Sequence, residues 1–170
     1  MAFTYSKLAE STVGVSGAAF IDFNNIPQNY TDLVLLYSAR AAEPTGTFYE
    51  ISVTLNGSTS GFTAKQIYGD GGTAASSSPT TRQAGLIGNV TTTSNTFNNN
   101  QIYFPNYTSS TNKSYSVDSV TENNATTAYA NMVAGLWSNT TAINSIKIAV
   151  TSNNFVQHST ATLYGIRAEV

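Results

Sequence analysis

The sequence predicts an all-β protein: a single-domain β-sandwich, with the jelly roll as the favoured architecture, preceded by a short N-terminal arm. Apolar and polar residues alternate with a period of two along the chain, and no long stretch holds the 3.6-residue stripe of a helix. Turn-forming residues separate roughly eight to ten short segments of this kind without helical crossovers between them, which is typical of sandwiches and jelly rolls. Ten tyrosines and eight phenylalanines provide material for a core.

The chain length indicates one domain. A chain of 170 residues is long enough to bury a core without disulfides or metal. No stretch resembles a linker, and no repeat occurs at a fixed period. We therefore expect residues 1–12 to form an N-terminal arm or edge segment and residues 13–170 to form the sandwich.

The clearest hairpin signal lies in the first half of the chain. Residues 49–55 alternate, and Asn56-Gly57 follows at once with the two residues that a type I′ turn favours. This pattern predicts a hairpin whose return strand covers residues 62–68. A glycine-rich turn ends that strand, and residues 73–81 are predicted to be a polar loop.

Residues 33–39 are apolar on both faces, which is typical of a central strand covered on each side. The Asn-rich residues 91–100 are expected to be a long exposed loop. Residues 26–32 fit either a helical turn or an ordered loop in which Pro27 fixes φ. The remaining predicted strands cover residues 18–23, 83–90, 101–105, 114–120, 129–137, 145–151 and 161–170.

Composition excludes several classes of function. The chain has no cysteine, one histidine and a net charge of −2, so we expect no thiol catalysis, no multi-histidine metal site and no basic surface for nucleic acid. Apolar runs are far shorter than a membrane span requires, and the N-terminus carries no secretory signal pattern. We expect no cofactor and no resident metal.

Serine, threonine and asparagine make up 63 of the 170 residues, while only 9% are charged. Threonine favours strands, and asparagine and serine favour turns. A surface of uncharged hydroxyls and amides also offers little charge repulsion to a second copy of the chain, so the composition favours self-association.

Three groups of residues could serve catalysis or metal binding. His158 lies beside a predicted turn without a Gly-x-Ser-x-Gly motif, which favours a surface residue over a catalytic base. The nine acidic residues show no motif-like spacing, although a pair of them could serve a glycoside hydrolase. Asp70 in its glycine-rich turn could bind calcium, but a hairpin turn explains the same residues.

Six residues are candidates for binding. Trp137, Tyr103 and Tyr107 could stack against a sugar, although core packing is the favoured explanation for Trp137. Phe3, Tyr5 and Leu8 could form an arm that becomes ordered on a neighbouring subunit, or belong to a first edge strand or a frayed terminus.

Four stretches carry a family resemblance: residues 19–40 (AFIDFNNIPQNYTDLVLLYSAR), 51–57 (ISVTLNG), 136–148 (LWSNTTAINSIKI) and 159–166 (STATLYGI). As a set they resemble small structural proteins of tailed bacteriophages, particularly those that infect cyanobacteria. In such proteins these residues look like scaffold. The resemblance places residues 163–166 as a terminal strand beside residues 33–37.

The resemblance implies a non-enzymatic virion protein that is made in the host cytoplasm. The favoured role is that of a capsid decoration (cement) protein, which binds the major capsid protein and acts as a homo-oligomer. We expect this oligomer to be a homotrimer. The alternatives are a tail-fibre or appendage domain that joins tail proteins and binds host glycan, and a carbohydrate-active enzyme.

Overall fold

The chain forms an antiparallel β-sandwich. The structure is a computed structural model that describes residues 3–79, 82–122, 124 and 128–168. Within that part of the chain no helix is long and apolar enough to cross a membrane. The twelve strands are β1 (Phe3–Thr12), β2 (Phe20–Phe23), β3 (Asp32–Ala39), β4 (Phe48–Leu55), β5 (Phe62–Gly69), β6 (Ala74–Ser77), β7 (Gln83–Gly88), β8 (Asn98–Phe104), β9 (Lys113–Val120), β10 (Ala130–Trp137), β11 (Ile146–Val150) and β12 (Thr160–Ala168).

The strands form one large and one small sheet. The large sheet has the order β1-β12-β3-β8-β9-β10-β5-β6, and the small sheet has the order β2-β11-β4-β7. The all-β sandwich predicted from the sequence is therefore confirmed. Two hairpins, β5–β6 and β9–β10, lengthen the large sheet beyond β8, and β7 lies over β8, β9 and β10.

Alternating strands place one face of each sheet in a shared core. Leu35, Ile102 and Val117 from the large sheet join Val53 and Ile148 from the small sheet in one cluster of buried side chains. β9 shows the pattern most clearly, because every second residue is buried along its whole length. The period-two signal therefore identifies both the strands and their inward faces.

The outer face of β3 is covered by neighbouring side chains. Val34 is buried although it points away from the small sheet, because it lies between its register partners Tyr103 on β8 and Tyr164 on β12. Its neighbour on the same face, Leu36, is exposed. The predicted pairing of the terminal strand beside β3 is confirmed, with Leu163 opposite Leu35.

Polar side chains of the large sheet bind the free edge of β7. Tyr37 Oη donates to Ala84 O at 2.5 Å, and Ser119 Oγ accepts from Leu86 N at 2.9 Å. Asn98 Oδ1 accepts from the N–H of Gly88. A strand edge normally leaves such backbone groups unpaired; here the facing sheet pairs them, so the two sheets are joined by hydrogen bonds as well as by apolar packing.

The predicted 49–68 hairpin is wrong. Asn56 and Gly57 do have positive φ values, 51° and 74°, as the turn prediction requires. However, β4 belongs to the small sheet and β5 to the large one. The Asn56 side chain binds a distant loop instead, donating to Ala142 O and accepting from Asn144 N and Ser145 N, so the turn redirects the chain from one layer to the other.

Two loop predictions are also wrong in part. Residues 98–100, expected at the end of an exposed loop, begin β8, and Asn98 and Asn100 are buried. Residues 74–77, expected in a polar loop, form the edge strand β6. In both places hydrogen bonds to a neighbouring strand or sheet outweigh low intrinsic β-propensity. Residues 26–32 contain no helical turn: residues 26–31 form the ordered loop before β3, and Asp32 begins that strand.

Residues 3–12, the described part of the expected arm, lie in the large sheet. They form β1, which pairs with β12 from Phe3 opposite Ala168 to Thr12 opposite Thr160, with a bulge between Lys7 and Ala9. Of the alternatives open at the sequence level, the structure shows an edge strand.

Candidate functional site

Two of the three sugar-stacking candidates lie in the interior. Trp137 is only 2% exposed and stacks on Phe62 with a ring-centroid distance of 5.9 Å. Tyr107 is fully buried, and its hydroxyl donates to the carbonyl oxygen of Pro27. Neither ring offers a face to a ligand, so both residues serve core packing and the sugar-stacking hypothesis is wrong for them.

The third candidate, Tyr103, lies in the same cleft as Tyr5 of the predicted arm. Tyr5, Asp32, Tyr103 and Ile166 line a shallow cleft of about 350 Å³ on the outer face of the large sheet. The strand register explains this meeting, because Ile166 on β12 pairs with Tyr5 on one side and with Asp32 on the other. We call it the Tyr5–Tyr103 cleft.

Hydrogen bonds fix the polar groups of this cleft. Asp32 is almost fully buried; its Oδ2 accepts from Tyr103 Oη and its Oδ1 from Asn106 N, both at 2.8 Å. Burial, the hydrogen bond to Asp32 and the negative charge of Asp32 raise the pKa of Tyr103 to about 12. Tyr5 is 58% exposed and packs edge-on against Tyr164. The cleft therefore places an exposed ring beside a largely buried carboxylate that Tyr103 and Asn106 hold in position.

The remaining arm candidates are Leu8 and Phe3. Leu8 is partly buried and packs against the core. Phe3 is the first residue of β1 and is the register partner of Ala168 on β12.

A second cleft opens at the end of the sandwich where β7 meets the β5–β10 pair. It has a volume of about 320 Å³ and is lined by Phe48, Glu50, Gln66, Tyr68, Leu86 and Tyr129. The Tyr129 ring packs edge-on against Phe48 at 4.2 Å and tilts against Tyr68 at 5.9 Å. The three rings thus pack largely against one another.

The outward side of the adjacent strands β8, β9, β10, β5 and β6 forms one continuous surface, which we call the open face. Ile67 and Met132 are register partners in the middle of this face and are 58% and 59% exposed. Val120 is also exposed there. Asp118 and Lys65 are the two charged side chains that these five strands direct outward. The face is therefore apolar at its centre and nearly uncharged around it.

Sequence reasoning missed Ile67 and Met132 as surface candidates, although a signal was available. Each lies out of phase with the buried residues of its own strand, in which Ala64 and Val133 point inward. An apolar residue on the outward phase of an alternating strand predicts an exposed apolar group.

Asp70 and His158, the candidates for metal binding and catalysis, lie in a turn and in a loop of the fold. Asp70 Oδ1 accepts from the backbone N–H groups of Gly72 and Thr73, which closes the β5–β6 turn and lowers the pKa of Asp70. His158 is exposed in the loop before β12, with a φ of 73°. The described residues contain no group of three or more His, Asp or Glu side chains that could hold a metal ion.

Among protein-family models none matches this chain, and no curated protein matches it either.

Proposed function

We propose that this chain is a non-enzymatic structural protein of a bacteriophage virion, which decorates the capsid as a homo-oligomer and stabilises it by binding the major capsid protein. The observation that carries the proposal is the open face. Apart from Asp118 and Lys65, the side chains that five adjacent strands direct outward are uncharged, and a surface of this kind with an apolar centre is suited to contact with another protein. The choice of a phage particle as the place where the chain acts rests on the resemblance of its sequence to phage structural proteins.

The strand order supports a capsid-type architecture. Without the two inserted hairpins, β1-β12-β3-β8 face β2-β11-β4-β7, and the chain passes between the two sheets at most of its connections. We infer jelly-roll connectivity from this order. Jelly rolls are used in viral capsid proteins as well as in lectins and cupins, so the fold is compatible with the proposal without requiring it.

The surface chemistry supports many weak contacts in place of a few strong ones. Side chains such as Gln101, Ser116 and Ser76 can each make a hydrogen bond to a neighbouring subunit, while Ile67 and Met132 supply apolar area. A typical interface joins an apolar centre to a polar rim in this way. An uncharged decoration layer can also bind without strong dependence on salt.

Quantitative mass spectrometry of purified particles tests the proposal. We expect hundreds of copies per particle, and we expect purified protein to bind particles that lack it and to raise their temperature of disruption. A few dozen copies would place the chain in the tail. Absence of the chain from purified particles would refute a virion role.

A tail appendage that binds host glycan is the second candidate, and the Tyr5–Tyr103 cleft favours it. An exposed tyrosine ring can stack on a sugar, and the fixed Asp32 carboxylate beside it can accept a hydrogen bond from a hydroxyl. In a glycan array we expect binding that Tyr5→Ala removes. Phe20→Ala, which deletes an exposed ring on the small sheet, is the matched control and should leave glycan binding unchanged. An array without any bound glycan would exclude this candidate.

A further inference from the structure

One cleft of the molecule combines a carboxylate with aromatic rings. We call it the Tyr129 cleft; its volume is about 320 Å³, and it is lined by Phe48, Glu50, Gln66, Tyr68, Leu86 and Tyr129. This volume is roughly ten times that of one water molecule in the liquid. The cleft therefore has room for a chemical group of several heavy atoms.

The Tyr129 cleft exists because the large sheet extends past the small one. Phe48 and Glu50 lie on the face of β4 that points away from the core, whereas Tyr68 lies on the inward face of β5. These faces meet because β10 and β5 continue the large sheet beyond β9 and pass the edge of β7. The rings of Phe48 and Tyr129, with centroids 4.2 Å apart, bring the two faces into contact.

The region around Tyr129 is negatively charged. Glu50 is the one charged side chain among the described residues that line the Tyr129 cleft. A neighbouring hollow of about 220 Å³ shares Tyr129 with it and is lined also by Asp70 and Glu122. Within the part of the chain that the structure describes, neither hollow is lined by a lysine or an arginine. Carboxylates gathered in a concave surface attract cations and repel anions, so the charge favours a cationic occupant.

Two amide side chains add polar atoms that the described residues leave without partners. Gln66 Nε2 donates to Ser77 Oγ at 2.8 Å, which orients the amide, and the buried Oε1 has no hydrogen-bond partner there. Asn131, the register partner of Tyr68, is 1% exposed, and its Nδ2 and Oδ1 are unpartnered in the same way. Buried polar atoms are normally hydrogen-bonded. Because Gln66 lines the cleft and an amide oxygen can only accept, the group that satisfies it must be a donor.

The aromatic rings suit a cation that is carried on an apolar stem. Phe48, Tyr68 and Tyr129 hold one another in place by ring contacts, yet each of them is only partly buried. The faces of such rings attract ammonium and guanidinium groups, and rings also pack against methylene groups. Calcium suits the cleft less well, since it takes several oxygen ligands and a single carboxylate is present beside the rings.

We propose that the Tyr129 cleft binds an organic cation, namely a primary ammonium or guanidinium group on an aliphatic stem. Glu50 is the counter-ion, Gln66 Oε1 is a second acceptor, and the aromatic rings contact the stem. A free amine and a basic side chain of a bound protein present this same chemistry. The inference goes beyond the proposed virion function and does not depend on it.

A nuclear magnetic resonance titration of the purified chain with butylammonium tests the inference. We expect saturable shifts of the backbone amides of residues 48–50, 66–68 and 128–130. Butylammonium should bind at least about 10-fold more tightly than butanol, an uncharged molecule of the same stem length, because a charge-assisted hydrogen bond is stronger than a neutral one. For the same reason Glu50→Gln should lower the association constant for butylammonium by about 10-fold or more.

Glu10→Gln is the matched control. It removes the same charge from β1, which lies at the far edge of the large sheet from the cleft, and it should bind butylammonium like wild type. Tyr129→Leu keeps an apolar side chain but removes the ring, so it should weaken binding by about 3-fold. Circular dichroism that matches wild type shows that each variant is folded.

A lysine derivative blocked at both backbone ends distinguishes the sources of the cation. Affinity equal to that of butylammonium supports a lysine side chain of a bound protein, and weaker affinity supports a free amine; either result supports the cation site. Absence of saturable butylammonium binding, equal binding of butanol, or full affinity in Glu50→Gln would overturn the inference. Mass spectrometry of particles, measured separately, decides the virion role.

Discussion

Ser119 joins the two sheets, and its replacement by alanine measures how much that connection contributes to stability. Its side chain is fully buried between β9 and β7. The hydroxyl oxygen accepts from Leu86 N at 2.9 Å and lies 2.6 Å from Asn100 Oδ1 and 3.1 Å from Leu86 O. Because a hydroxyl has one proton, it donates to one of these two oxygens at a time.

The expected loss of stability follows from the polar groups that Ser119→Ala leaves without the Ser119 hydroxyl as a hydrogen-bond partner. A buried N–H that loses its acceptor costs about 1–3 kcal/mol, and the lost donor bond adds about 1 kcal/mol. We therefore expect the free energy of unfolding to fall by about 2–4 kcal/mol. For a chain of this size each kcal/mol lowers Tm by about 2–4 °C, so Tm should fall by about 5–15 °C.

Urea unfolding followed by tryptophan fluorescence is a suitable assay, because Trp137 is the sole tryptophan and is buried. Ser116→Ala is the matched control: Ser116 lies on the same strand but points outward and is exposed, so its loss should change stability by no more than about 0.5 kcal/mol. If both variants unfold at the same urea concentration, the polar connection between the sheets contributes nothing, and the argument about β7 fails.

Three further predictions concern the interior. Burial raises the pKa of Tyr115 to about 12 from an ordinary value of 10.0, so the folded state opposes ionisation of this tyrosine, and the free energy of unfolding falls as the pH rises from 10 to about 12. Tyr115→Phe, which has no proton to lose, should match or exceed wild-type stability at pH 7 and lose less of it in alkaline urea titrations. Gly135→Ala would place its Cβ 2.0 Å from the Tyr115 ring. We expect calorimetry to show a free energy of unfolding lower by about 3 kcal/mol or more, since ~3 kcal/mol is the upper end of the usual cost of overpacking. Gly14→Ala, which has open space around it, is the control and should be nearly neutral. Arg40 donates to the carbonyl oxygens of residues 92, 93 and 96, so Arg40→Lys, which lacks the planar fork, should accelerate amide exchange in residues 92–96; unchanged exchange would contradict this role.

Strands and their inward faces could be predicted from the sequence because they depend on local alternation. Ile146, Ile148 and Val150 are buried on β11 as their spacing predicts. The pairing of residues 160–166 beside β3 follows from the family resemblance and not from local alternation. Asn98 and Asn100 could not be predicted in this way. Their amides suit a loop by propensity, and only contacts made in the folded sandwich, of Asn98 with Gly88 on the facing β7 and of Asn100 with Ser119 on β9, make them suitable for a buried strand.

The candidate site was predicted less well because aromatic residues give no sign of direction on their own. Trp137 and Tyr107 face the core, while Tyr5 and Tyr103 face outward and meet in one cleft. That meeting depends on β12 lying between β1 and β3, which is a property of the topology. The Asn56 turn shows the same limit, since its dihedral angles are local but the sheet that its next strand joins is not.

The edges of the sheets explain why association should use a face. β1 is a long edge strand, but it carries a bulge and the exposed Lys7–Glu10 ion pair, with 2.9 Å between Nζ and Oε2. β6, at the other end of the large sheet, is only four residues long, and side chains occupy the free edge of β7. Bulges, charges and short strands all oppose the addition of another strand. With these edges protected, the contacts that we propose with other subunits fall to the faces of the large sheet, where the open face carries the exposed Ile67 and Met132 and only two charged side chains.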